Sequence, residues 1–288
     1  MKHPIATWSL AITAAALSLG GAGALTAGCG DTTGLRHVTF AARAGGYEHA
    51  GPATFTTRSG WTVTLTQAAA AVGPVYLNSL EPIACDGCQA RSPLDAISKL
   101  LVPRAWAHGE SHLGAGQIVA QVTHQVVVDV LSPALVAIPG GGDGLDLRAR
   151  TAEAWLYNHD GATRGAAIRV AGVASRTVDG STIEVPFSGA LTADESITTP
   201  QTPLDVARRV RGIPVDITPA DGGALSIRVD PRSWFDGADF SELTATPLDE
   251  RGAHPFTAAD NVGRAFLNNA RAARGAYVFA FGPAGASP

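Results

Sequence analysis

Methionine occurs once in the 288 residues, as Met1, and lysine twice, as Lys2 and Lys99. The first scarcity excludes a Met-rich Cu(I) site, and with three cysteines there is no Cys-His-Met set for a blue-copper centre. The second leaves no basic stripe. Lys+Arg number 21 against 25 Asp+Glu, a net charge of -4, and only Arg208-Arg209-Val210-Arg211 forms a tight group. A nucleic-acid partner, which needs a concentrated positive face, is therefore excluded. Motifs of the common enzyme classes are also missing: no GxSxG elbow, no GxGxxG after a strand, no P-loop. Ser79, Ser111 and Ser188 have no spacing that couples one of them to a histidine. The chain reads as a non-enzyme, and its hydrophobic fraction of 45% rules out wholesale disorder.

What is present begins at the N-terminus. Lys2 and His3 precede an uncharged apolar run from Ile5 to Leu25, and small residues then surround Cys29. A basic start, an apolar stretch and a small-residue exit predict a signal peptide over residues 1–28. A retained membrane-anchor helix is the competing reading, weakened by the Ala and Gly content and by the absence of a basic stop-transfer cluster. Cys29 then becomes a lipidation site, although Thr26 stands where a lipobox prefers an aliphatic residue. The expected location is a bacterial cell envelope, lipid-anchored to the membrane on the periplasmic or extracellular side. Without acylation the protein would be secreted.

Lipid on Cys29 would leave an even pair, Cys85-Asp86-Gly87-Cys88, in a compartment that permits disulfides. Pro82 and Pro93 flank it in a loop-like context, and no second CxxC completes a zinc site. A loop disulfide is the favoured reading over metal ligation or redox chemistry.

Downstream, residues 29–50 read as a lipid-anchored tether or as containing a first strand at 36–42. Residues 51–288 read as one β domain, divided in two at most near 139–145, where Gly140-Gly141-Gly142-Asp143-Gly144 resembles a hinge. Strict alternation predicts strands at 61–67 and, most strongly, at 117–131. Val72 to Leu77 continues the first of these across Gly73-Pro74, which should kink or bulge a sheet edge. Further strands fit 152–157, 166–176, 182–187, 210–217, 225–229 and 277–281, with an Asp179-Gly180 turn. Helices are predicted after Ser92-Pro93, ending at Pro103, and after the Thr257–Asp260 capping box through Arg274. The fold class is mainly β: an antiparallel β-sandwich with one or two short helices.

The only histidine cluster is His108-Gly109-Glu110-Ser111-His112, with His124 following on the strongest strand. Neutral imidazoles suit Cu, Zn or Ni. The spacing departs from HExxH because Glu110 holds the third place, and nearby glycines disfavour a helix, so a zincin is not expected. A loop delivering His108 and His112, with His124 from an adjacent strand, would make a metal site in which Glu110 orients a ring. His124 also fits a satisfied core histidine, and the other two fit a solvated loop.

Several stretches resemble the methanobactin-associated MbnP-like family of secreted copper-binding proteins. They are the Trp61–Leu65 strand, the Gly/His-rich middle, Ile227 to Phe235 with its Asp230-Pro231-Arg232-Ser233-Trp234, and Asp260 to Phe266. The resemblance implies an exported β-sandwich-like protein with a histidine copper site. In some members a tryptophan is oxidised to kynurenine by a partner haem enzyme. By position His108, His112 and His124 take the copper role, with zinc as the alternative metal and an envelope metal-handling or redox protein as partner. The competing function is a non-catalytic structural or ligand-binding surface lipoprotein without metal. The CDGC loop and the lipid anchor do not map onto the family pattern.

Overall fold

The computed structural model describes residues 35–47, 51–80, 117–158, 165–192 and 208–284. The first strands are β1 (His37–Gly46), β2 (Ala53–Thr56), β3 (Thr62–Val72), β4 (Val75–Asn78), β5 (Ile118–Val122), β6 (Val126–Asp129), β7 (Val136–Ala137) and β8 (Gly142–Leu145). They are followed by β9 (Ala149–Trp155), β10 (Ala166–Val178), β11 (Ser181–Thr192), β12 (Arg209–Ile217), β13 (Gly223–Val229), β14 (His254–Phe256) and β15 (Tyr277–Pro283). The described residues also form one α-helix, α1 (Asn261–Ala270), and two 3-10 helices, Pro231–Phe235 and Ser241–Ala245.

Alternation builds these strands. In β3 Thr62 and Thr66 are exposed while Val63 and Leu65 are fully buried, as expected where one face meets water and the other the core. Two sheets result. The larger runs β12-β9-β4-β5-β8-β1-β13-β15, with β7 also on β1. The smaller runs β14-β11-β10-β3-β2, with β6 also on β3. The ends β12 and β15 of the larger sheet approach one another, so the sandwich is nearly a closed barrel. Edge strand β12 carries a register shift and Pro214, which lacks an N–H and cannot extend a ladder. The mainly β sandwich expected from the sequence is what forms. It is mixed rather than wholly antiparallel, because β1 pairs with β13, and β11 with β14, in parallel.

The described residues from Arg36 onward belong to one compact unit. The tether reading of residues 29–50 is corrected for 37–46, which form β1 between β8 and β13. The glycine run near 140 is not a hinge. Gly142 and Gly144 lie in β8, paired with Phe40 of β1 and Ala120 of β5. A Cβ on Gly142 would meet the Phe40 ring at 2.3 Å, so crowding inside a sheet, not flexibility, requires glycine there.

The Asp179-Gly180 turn joins β10 to β11 with φ of 52° and 80°, the primed-turn geometry that matches strand twist. The Thr257–Asp260 residues bond to one another as expected, but in the turn ahead of the helix, whose N-cap is Asp260 without a side-chain cap bond: Asp260 Oδ2 accepts from Thr257 N and Oγ1, and Thr257 Oγ1 accepts from Ala259 N. The helix after it stops at Ala270 rather than Arg274. Tyr277 Oη donates to Ala270 O at 3.1 Å, and Asn269 Nδ2 donates to Trp234 O and Asp236 O. The Tyr277 hydroxyl thus satisfies one terminal carbonyl of the helix, and Asn269 ties its last turn to the 231–236 segment. The helix expected after Ser92 lies outside the described residues.

Two of the stretches that carry the family resemblance pack against each other, and Trp61 of a third reaches them through Phe240. Trp61 meets Phe240 at 5.6 Å between ring centroids, Phe235 stacks on Phe266 at 5.4 Å, and Trp234 meets Phe266 edge-on at 5.8 Å. Phe187 of β11 closes the cluster against Phe235 and Phe240. The role of these aromatic residues here is the core.

Candidate functional site at a sheet corner

The predicted strand over 117–131 is two strands. β5 lies in the larger sheet and β6 in the smaller, and Thr123-His124-Gln125 carries the chain between them. β3 and β4 make a second crossing of the same kind at Gly73-Pro74, a cis peptide. The two crossings touch. Gly73 has φ of 109°, and a Cβ there would fall 2.3 Å from His124 O, so only glycine serves. The kink expected at Gly73-Pro74 is therefore a change of sheet.

This corner decides the surroundings of His124. Its side chain is exposed, which corrects the reading of a histidine on the buried apolar face: the chain leaves the sheet before the ring reaches the core. Nδ1 lies 3.3 Å from Thr123 Oγ1, and the ring rests against Gly140. When Nδ1 holds the proton and donates it to Thr123, Nε2 offers its lone pair to solvent, the state a metal ligand requires. Beside it, Gln125 Nε2 donates to Asn158 Oδ1 at 3.0 Å, and Asn158 Nδ2 donates to Ala166 O. Buried Asn158 thereby links the corner to β10.

His108, Glu110 and His112 lie outside the described residues, as do Cys29, Cys85 and Cys88. The other described histidines are engaged elsewhere. His37 Nε2 is 3.9 Å from Asp143, and His254 Nδ1 pairs with Thr246 O. Among the described residues no three His, Cys, Asp or Glu side chains converge as a metal site.

Two polar clusters were not foreseen from the sequence. Glu153 is nearly buried on the face of β9 opposite Ala152 and Ala154, with Arg209 Nη1 at 3.4 Å and Arg211 Nε at 3.5 Å. Arg209 lies over the Trp155 ring, 4.1 Å from its centroid. The tight arginine group was the available signal, but only the β9–β12 pairing reveals its carboxylate.

The second is Asp239, whose Oδ1 accepts from Trp61 Nε1 at 3.0 Å and from Ser241 N and Oγ. The Ser241 amide, then its hydroxyl, the indole N–H and the nearby Arg176 charge outweigh burial and hold the Asp239 carboxyl below its ordinary range. A carboxyl depressed by folding contributes stability above its unfolded pKa of about 3.9, and that stability is lost as pH falls through the folded value. Denaturant midpoints should therefore drop below about pH 4, and Asp239→Asn should flatten that acid limb while lowering stability at pH 7. Parallel acid limbs in the two proteins would contradict the assignment.

Compared with family models, curated proteins and solved structures, the chain gives no match to any of them.

Proposed function

We propose that this chain is an exported cell-envelope lipoprotein that binds a transition metal, copper ahead of zinc, through His108, His112 and His124. Its role is capture or storage, without catalysis. The supporting observation is His124 itself: an exposed imidazole with Nε2 open, on backbone fixed by the Gly73 contact. A borderline metal such as Cu(II) or Zn(II) favours such nitrogen donors. In this reading His124 is one of three nitrogen ligands. His108 and His112 are the other two, and Glu110 orients one of the rings. Lipid on Cys29 holds the protein at the membrane, a Cys85–Cys88 bridge closes its loop, and an envelope metal-handling or redox protein exchanges the metal.

The test is metal content of untagged protein after loading with Cu(II) or Zn(II) and desalting. Wild type should retain about one ion per chain, and the His108/His112/His124 triple alanine variant close to none. Equal occupancy in the two proteins, near zero or near one, would overturn the proposal.

A further inference from the structure

The outer face of the larger sheet, over β7, β1, β13 and β15, carries a patch that the metal reading does not use. Alternation sets it. Phe40, Ala42 and Ala44 of β1 and Leu225, Ile227 and Val229 of β13 enter the core, so the residues between them face outward. The ladders align the outward residues in rows: Ala137–Arg43–Ser226–Ala280, and beside it Ala41–Ala224–Gly282. Arg43 apart, no side chain in these rows is longer than serine, so the floor is flat. Ala41 and Ala137 are exposed, and a Cβ on Gly282 would meet nothing within 4 Å, so the floor is also open.

Two polar side chains stand in this floor unpaired. Arg43 is half-buried, yet its guanidinium has no hydrogen bond, ion pair or ring contact among the described residues. Ser226 is only 8% exposed, and its hydroxyl has no partner there either. The two are register partners on adjacent strands, about 4.8 Å apart at the backbone and on the same side of the sheet. Polar groups drawn from water without partners are costly, and a ligand that brings acceptors to both removes that cost.

The neighbours define the charge and shape of that ligand. Arg228, in the next row, already donates to Gly46 O and Pro133 O. Asp143 and Asp221 lie at the far end of β1 beside Thr39, four residues or about 13 Å along the strand from Arg43. There they engage His37 and Gln121, and Thr39 and Arg36, respectively. The two rows therefore hold one cation and no acid, which selects a monoanion. A guanidinium holds a carboxylate in a planar, two-bond fork. A flat floor of methyl groups, bordered by exposed Val278, suits a planar apolar body.

We infer that this face binds an aromatic carboxylate, with its carboxylate on Arg43 and Ser226 and its ring on the alanine floor. The inference stands independently of the metal site.

Isothermal titration of the full chain with benzoate, acetate and benzamide tests it. Benzoate should bind at millimolar concentration or better. Acetate, which lacks the ring, and benzamide, which lacks the charge, should each bind about tenfold more weakly. Arg43→Gln should bring benzoate down to the level of benzamide. Ala280→Leu, which raises the floor and leaves the charge in place, should remove binding in a protein whose circular dichroism matches wild type. No saturable benzoate binding, acetate or benzamide binding as well as benzoate, or undiminished binding in either variant would each overturn the assignment.

Discussion

A Trp61→Ala variant should lose about 3–5 kcal/mol of stability, the range for emptying a large aromatic site in a core. Trp61 is 0% exposed and packs on Phe240, which in turn joins Phe187 and Phe235. Its indole is also a polar tie. Nε1 donates to Asp239, Asp239 N donates to Asn261 Oδ1, and Asn261 begins α1. Emptying the site therefore opens a cavity and removes one of the donors that keep Asp239 ionised. Trp61→Phe is the milder change: it keeps one six-membered ring in the core but loses the pyrrole portion with its N–H, for about 1–3 kcal/mol. Urea midpoints with unchanged slopes measure both. A cost under about 1 kcal/mol for Trp61→Ala would show that this cluster is not the core.

Gly73→Ala should be nearly as damaging, and it should act on the candidate site as well. An L-residue at φ of 109° is strained, at a cost of about 1–3 kcal/mol. The added Cβ also collides with the backbone carbonyl of His124, which has to move. Gly60→Ala is the control, because Gly60 has φ of 81° but nothing within 4 Å of the added Cβ. Both variants carry the φ strain; only Gly73→Ala carries the collision. The expected result is a larger drop in urea midpoint for Gly73→Ala and weaker copper binding in that variant alone. Equal destabilisation and equal copper affinity would place the two crossings apart.

The sequence revealed in and out, but not which sheet. Ala120, Val122, Val128 and Val130 share one parity and are all buried, although the first two belong to the larger sheet and the last two lie in or beside the strand of the smaller. Two sheets facing one core give the same alternation, so a strand that changes sheet keeps its phase. That is why 117–131 reads as one strand and why His124 falls on its apolar face. Turn chemistry was more legible. Asp179-Gly180 and the Thr257–Asp260 box act through neighbouring backbone groups, and both appear in the structure.

The end of α1 was not legible, since no local pattern pairs the Tyr277 hydroxyl with Ala270 O or Asn269 with the Trp234 and Asp236 carbonyls. Nor was the glycine run at 140–144, where Gly140 and Gly141 take positive φ in a turn while Gly142 and Gly144 answer to the Phe40 ring and to Ala120. Histidine spacing alone marked His124, while its exposure followed from a crossing that alternation hides.

The central claim, that His124 is a metal ligand, is tested most directly by electron paramagnetic resonance and competition titration of Cu(II)-loaded untagged protein, wild type against His124→Ala. Loss of a ligand should cost more than the 10–100-fold typical of removing an orienting partner, and the nitrogen hyperfine pattern should change. An unchanged spectrum and an unchanged copper affinity in His124→Ala would contradict it.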